Sequence, residues 1–278
     1  MLKIKATKND EGRTLLSFVK KSANNVPISR IEKIFRNKDI RVNGEKTNDK
    51  QYKLKANDLI VIYSIEDAQK KEHIQKTNVT FKKIYEDDDI LIVDKKAGVA
   101  MSGEDDSLNN QVLTYLKFVK TDTFTPSSIG RLDKVTSGLV IYAKNYATLV
   151  EFNKKINDFE KIYQFQSDFE GDETLTVRLK KDIEKQKMKV DRENKFGVRA
   201  QTRLWVENGK KYAQIFTGKK HQIRATLEYL QKPILGDRKY GGKRSHRVFL
   251  HAYSITLHNL DKKWDHLNDQ QFISFPKW

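Results

Sequence analysis

The chain of 278 residues contains no cysteine, which excludes a disulfide framework, a thiolate metal centre and a cysteine nucleophile. Proline is scarce, at four residues, so long irregular loops are not signalled. No apolar run approaches the ~18 residues that a membrane-spanning helix needs, and mean hydropathy is −0.73. The opening MLKIKATKNDEG has no apolar stretch behind its lysines, unlike a secretory signal. The expectation is a cytoplasmic globular protein, long enough to bury one large core with a small companion.

Positive charge is what the chain has in excess. Lys and Arg number 54 against 37 Asp and Glu, a formal net charge of +17. Clustered cations gain affinity for nucleic acid by displacing counterions from phosphates. Biased codon usage, visible in the abundance of Lys and Asn, produces a basic solvated surface equally well, and composition alone does not choose between the two. Distribution helps, because almost half of the excess falls within the first 76 residues.

That stretch reads as a small module. Leu15, Leu16, Phe18 and Val19 follow Gly12-Arg13-Thr14 at helical spacing, and Ile28, Ile31, Ile34 and Phe35 repeat the pattern after Pro27, so two short helices are expected. Ile40-Arg41-Val42 then runs into an Asn43-Gly44 turn, and Leu59 to Tyr63 is a second β-rich run. The second helix carries Arg30, Lys33 and Arg36 on neighbouring turns of one face, with Lys38 and Arg41 following within reach of the same surface. Residues 12–63, and above all SRIEKIFRNKDIRVNGEKTNDKQYKLKANDLIVIY, resemble an S4-type RNA-binding domain. The resemblance implies that the helix pair and the adjoining turn face structured RNA.

Residues 64–76 lack useful periodicity and read as a linker, which gives an expected division into 1–63, 64–76 and 77–278. From Phe81 onward strand and helix patterns alternate, with Gly98 as a turn residue after IYEDDDILIVDKK. Asp87, Asp88 and Asp89 are read as a turn without a catalytic role. The charged stretch 180–199 is the expected exposed insertion.

Three segments carry polar residues that a simple core pattern would not require. In GRLDKVTSGLVIYA, Asp133 precedes an apolar strand and could sit at the edge of the core, although an ordinary turn aspartate fits as well. In YAQIFTGKKHQIRATL, a strand enters a turn and a helix that opens with His221, Gln222 and Arg224. An arginine there can pair with a buried carboxylate and keep it ionised. The third is Lys161-Ile162-Tyr163, whose ring could stack on a base or simply half-fill a strand position.

Together these segments resemble the pseudouridine synthases of the RluA type along essentially the whole chain. GRLDKVTSGL, KIY at 161–163, TGKKHQIR at 217–224, PILGDRKYG at 233–241 and LHAYSITL at 250–257 keep the family's order. The resemblance implies an α+β fold: an S4-like domain, then a catalytic domain with a mixed, mainly antiparallel sheet flanked by helices and loops. It further implies isomerisation of uridine to pseudouridine in RNA, most simply 23S rRNA of the large ribosomal subunit, by a monomer without metal or organic cofactor. Asp133 takes the essential role, as nucleophile or as base at the ribose C2′, and Arg224 is its ion-pair partner. Tyr163 packs on the target base and assists proton transfer at C5. Arg131 enters the RNA stack when the nucleotide is flipped out. His221 is read as a structural or RNA-contacting residue rather than a metal ligand, because no second histidine follows it at metal-site spacing, and it is grouped with the RNA-contacting residues. Gly130 stands where the family usually has histidine, and Lys96 where it has proline. That first departure leaves a rival reading, an rRNA-binding assembly factor without turnover, and tRNA is the other candidate substrate.

Overall fold

The computed structural model describes residues 1–23, 26–63, 77–119, 124–193 and 195–278; the expected linker lies outside them. At the N-terminus, β1 (Leu2–Lys5) is followed by α1 (Leu15–Ser22), α2 (Ile28–Arg36), β2 (Ile40–Val42), β3 (Glu45–Lys46) and β4 (Leu59–Ile62). The strands form a sheet in the order β1-β4-β2-β3. Thr14 opens α1 by accepting the Ser17 N–H on its hydroxyl, the capping role of a short oxygen side chain. Pro27 opens α2, its fixed φ suited to a helix start. Asn43 and Gly44 both adopt positive φ, the requirement of a tight turn between twisted strands. Leu15, Phe18, Ile31, Phe35, Ile40 and Ile60 close a hydrophobic core of their own.

The rest of the chain is built on a second sheet. Its elements are β5 (Lys82–Glu86), β6 (Ile90–Lys95), α3 (Leu108–Tyr115), β7 (Ser127–Ile129), β8 (Ser137–Ala143), α4 (Tyr146–Lys155), β9 (Glu160–Phe165) and β10 (Asp172–Asp182). Then come β11 (Lys187–Val190), β12 (Val198–Glu207), β13 (Lys210–Ile215), α5 (Gln222–Tyr229), β14 (Leu250–Thr256) and β15 (Gln271–Ile273). Strand order is β11-β10-β12-β13-β9-β14-β8-β6-β5, with β15 added to β14 and β7 to β8. Among the described strands only β14 and β8 run parallel, so the mixed, mainly antiparallel sheet expected from the sequence is present.

The described residues among 180–199 are mostly exposed, as expected. They are the end of β10, all of β11 and the start of β12, and β11 pairs with β10 from Lys187 to Val190. An edge hairpin wets one face, while the Lys187 ammonium and the Met188 amide turn inward, to Glu228 on α5 and the Tyr240 hydroxyl. The aspartate turn carries local order: Asp87 accepts the amides of Asp89 and Ile90, and Asp89 accepts from Thr148.

The parallel contact between β8 and β14 matters for the site, because the loop before β8 carries Asp133. Gly138 has φ +111, and a Cβ there would run into the Ala252 carbonyl of β14. Gly138→Ala is therefore expected to cost at least about 1–3 kcal/mol from backbone strain alone, read as a lowered urea midpoint; an unchanged midpoint would show that the strands can part without loss.

Candidate active site

A cavity of about 520 Å³ opens between the loop before β8, the end of α4, β9 and the start of α5. The loop is pinned from below. Gly98 N–H donates to the Lys134 carbonyl (2.8 Å), Thr136 N–H to the Asp133 carbonyl (3.0 Å), and the Lys95 ammonium to the carbonyls of Lys96, Val99 and Lys134 (3.0, 2.8 and 3.3 Å). Lys95 is wholly buried, and burial pulls its pKa down to about 8 against the opposing pull of the Asp133 charge.

Across the cavity, α5 is set by the turn preceding it. Gln222 Oε1 accepts from the Thr217 hydroxyl (2.9 Å) and the Lys219 amide (3.0 Å), while Nε2 donates to the Gln201 carbonyl and the Thr202 hydroxyl (both 2.9 Å). His221 takes the left-handed conformation at φ 55, an uncommon one for a residue with a Cβ. This turn brings His221 and Arg224 to the cavity.

Arg224 is the centre of the arrangement. Its Nε and Nη2 engage Asp237 bidentately at 2.6 and 3.0 Å, and its Nη1 donates to Asp133 Oδ2 at 2.9 Å. The arginine side chain is 6% exposed and that of Asp237 1%, whereas Asp133 keeps 25%. Burial alone would lower the guanidinium pKa, but the two carboxylates hold it above its ordinary value. A rigid fork that satisfies two carboxylates at once is a task for Arg and not for Lys. The guanidinium also lies over the Tyr240 ring, 4.9 Å from its centroid, a favourable cation–π position.

Tyr163 stands on β9 opposite Ala213 of β13 and Ala252 of β14, two small neighbours that leave room above the sheet for its ring. Burial, with help from the Asp133 charge, raises its hydroxyl pKa, so the group is protonated at neutral pH. Lys161, two residues earlier, donates to the Ile156 carbonyl at the end of α4, and burial brings its pKa to about 8. Ile156 closes the wall opposite Gly130: a Cβ on Gly130 would lie 3.1 Å from Ile156 Cδ1, and φ is +75 there. Glycine suits that position, and the substitution touches neither Asp133 nor Arg224.

Asp133, Tyr163, Arg224, Arg131 and His221 thus line one cavity. Arg131 is exposed, without an ion pair among the described residues, whereas the His221 side chain is only 10% exposed and faces Asp133, its Nε2 3.6 Å from Oδ2. Arg30, Lys33, Arg36 and Lys38 are exposed on the N-terminal unit and line no part of this cavity. Arg41 is half-buried, with its guanidinium toward the Gly44 carbonyl (3.5 Å) and the Tyr63 ring (5.7 Å). Among the described residues there is no cluster of three or more His, Asp or Glu fit to hold a metal, and no helix is long and apolar enough to cross a membrane. Sequence reasoning missed Asp237, Tyr240, Lys95 and Lys161. The available signal for Asp237 was a lone carboxylate directly after Leu235-Gly236, in a segment otherwise apolar up to that point.

Comparison with known proteins places the chain in one family. Residues 89–229 match the family model for RNA pseudouridylate synthase. An uncharacterised RNA pseudouridine synthase of Mycoplasma capricolum is 31% identical over 100% of this chain and 99% of that protein. The ribosomal large subunit pseudouridine synthase C of Escherichia coli is 30% identical over 90% of this chain and 86% of that protein. In fold, human RNA pseudouridylate synthase domain containing 1 superposes with a TM-score of 0.59 at 20% identity, covering 72% of this chain and 84% of that one.

Removal of Arg224 would leave Asp237 as an uncompensated buried charge. Arg224→Met is therefore expected to destabilise the fold by about 3–5 kcal/mol, and Arg224→Lys to restore little of it, since an ammonium lacks the fork. Urea unfolding of both variants checks this; a lysine variant as stable as the parent would mean that charge alone suffices.

Proposed function

The chain belongs to the RNA pseudouridine synthase family and is an enzyme that isomerises uridine to pseudouridine in RNA, and from that premise we propose that Asp133 is its catalytic carboxylate and large-subunit ribosomal RNA its substrate. The reaction breaks the N1–C1′ glycosidic bond, turns the base and joins C5 to C1′, with the C5 proton released. It requires a group that acts at the ribose and a surface that keeps the detached base in place.

The observation that carries the assignment is the pairing of Asp133 with Arg224 at the cavity. Arg224 is immobilised by Asp237 behind it, so its third N–H fixes the position of Asp133 Oδ2. The partly exposed carboxylate is thus pre-oriented with a solvent-side face free for substrate, which lowers the cost of reaching the reacting geometry. Tyr163 is the surface for the uracil ring. Since its hydroxyl stays protonated, it serves as packing partner and hydrogen-bond donor, and its use in moving the C5 proton requires a change of environment after the base is bound. Arg131, exposed at the rim, fills the gap left by a flipped nucleotide. The intact Asp133–Arg224–Asp237 arrangement favours turnover over an assembly factor that only binds.

Residues 1–63 are proposed as an S4-like RNA-binding unit and 77–278 as the catalytic unit. The supporting features are the separate hydrophobic core and the exposed cations Arg30, Lys33, Arg36 and Lys38. The ribosomal substrate rests on the similarity to the Escherichia coli large subunit enzyme. The protein acts as a cytoplasmic monomer in this reading, with phosphate contacts positioning the RNA and its shape and unstacked bases selecting the site.

Mapping pseudouridines in ribosomal RNA from cells lacking the protein identifies the target, and complementation separates the roles. Asp133→Asn is expected to reduce product formation at least about 10³-fold while retaining salt-dependent RNA binding. Full modification by the variant, or a ribosomal RNA unchanged in its absence, would overturn the assignment. Replacing Arg30, Lys33 and Arg36 together by Ala is expected to weaken rRNA binding and to flatten the plot of log affinity against log salt by about 0.7–0.9 for each phosphate no longer neutralised. An unaltered slope in filter binding would place the docking surface elsewhere.

A further inference from the structure

The hydrogens around Tyr240 can be counted. Its hydroxyl oxygen accepts the backbone N–H of Met188 at 3.0 Å, and its other polar neighbour is His221 Nδ1 at 2.8 Å. Tyr240 is 1% exposed, so its single O–H needs an acceptor within the protein. Among the described residues, His221 Nδ1 is the one within reach. Nδ1 is then the acceptor nitrogen, and a neutral ring must carry its proton on Nε2. That nitrogen faces Asp133 Oδ2 at 3.6 Å, the same oxygen that Arg224 Nη1 holds at 2.9 Å. No described residue donates to Oδ1.

We infer that His221 is a positioning residue: a neutral imidazole, fixed by Tyr240 with its proton on Nε2, that joins Arg224 on Asp133 Oδ2 and leaves Oδ1 as the reacting oxygen. The inference rests on the proposed catalytic role of Asp133. At 3.6 Å the contact is too long for a hydrogen bond; we place a hydrogen bond there in the RNA-bound state, since contacts in unliganded sites commonly tighten on binding. The charged surroundings keep the ring neutral. Burial lowers its pKa to about 4 against the pull of Asp133, and Arg224 on α5, Lys220 in the preceding turn and Lys239 beside Tyr240 push in the same direction as burial. Lys187 of β11 faces the Tyr240 ring at 5.0 Å and adds no acceptor. A neutral donor orients the carboxylate without adding a second full positive charge beside it.

The test uses the full-length protein with ¹⁵N-labelled histidine, His221 being assigned by its loss in His221→Gln. The expected spectrum at pH 7 shows Nε2 protonated and Nδ1 bare, persisting well below pH 6.5, with the tautomer preference lost in Tyr240→Phe. A proton on Nδ1, or an imidazolium at pH 7, overturns the inference. In turnover assays, His221→Ala is expected to lower kcat about 10–100-fold, the equivalent of one hydrogen bond to a charged group, with KM for RNA within about twofold. His221→Gln, whose amide N–H reaches toward the same oxygen, should recover part of the loss; equal activity of the Ala and Gln variants, or an unimpaired Ala variant, overturns the positioning role. If His221→Ala does not fold, Tyr240→Phe supplies both readouts. Activity retained by Asp133→Asn would instead refute the catalytic assignment and leave the tautomer result standing.

Discussion

A buried guanidinium shared by two carboxylates is the constraint on which the catalytic half of this molecule depends. Arg224 is almost without solvent, and its charge is tolerable only because Asp237 takes two of its N–H groups and Asp133 a third. Each partner comes from a different part of the chain: α5, the turn after Gly236, and the loop before β8. The ion pairs tie together segments that the sheet alone would hold only through side-chain packing. A buried ionic cluster of this kind adds little net stability over a well-packed apolar one; what it supplies is a fixed position for one carboxylate oxygen.

The supporting shell is built largely of backbone groups. Lys95 spends its ammonium on three carbonyls beneath the Asp133 loop, and Gln222 spends its amide on the turn that launches α5. Both side chains are buried; Lys95 lies outside the cavity lining, whereas Gln222 is part of it. Gly138 belongs with them, since the close approach of β8 to β14 leaves no room for a side chain. The rigid elements therefore surround a loop and a helix start, and Asp133 and Arg224 sit where those two meet.

Much of this was legible in the sequence. The helices α1 and α2, the Asn43-Gly44 turn, the strand of Lys161-Ile162-Tyr163 and the helix opening at Gln222 follow from apolar spacing and turn chemistry. The cavity grouping of Asp133, Tyr163, Arg131 and Arg224 followed from motif resemblance. Asp237 and Tyr240 were not assigned roles, because a carboxylate or a phenol in a turn looks the same whether it faces water or a buried arginine. His221 was read as a structural or RNA-contacting residue because no second histidine follows it at metal-site spacing; its contact with Tyr240, 19 positions away in sequence, is tertiary and has no local signal. The charge of residues 180–199 showed their exposure but not their pairing, because an edge hairpin has too few apolar positions to show a two-residue period.

The part that hairpin plays has an evolutionary corollary. Met188 reaches Tyr240 through its backbone amide, so that bond survives any substitution at position 188 that keeps the N–H and the packing of the half-buried side chain on the core around Tyr240. What sets the position of that amide is the length and pairing of the two strands. The exposed charges of the hairpin can therefore change in number and sign while the hydrogen bond to Tyr240 stays in place.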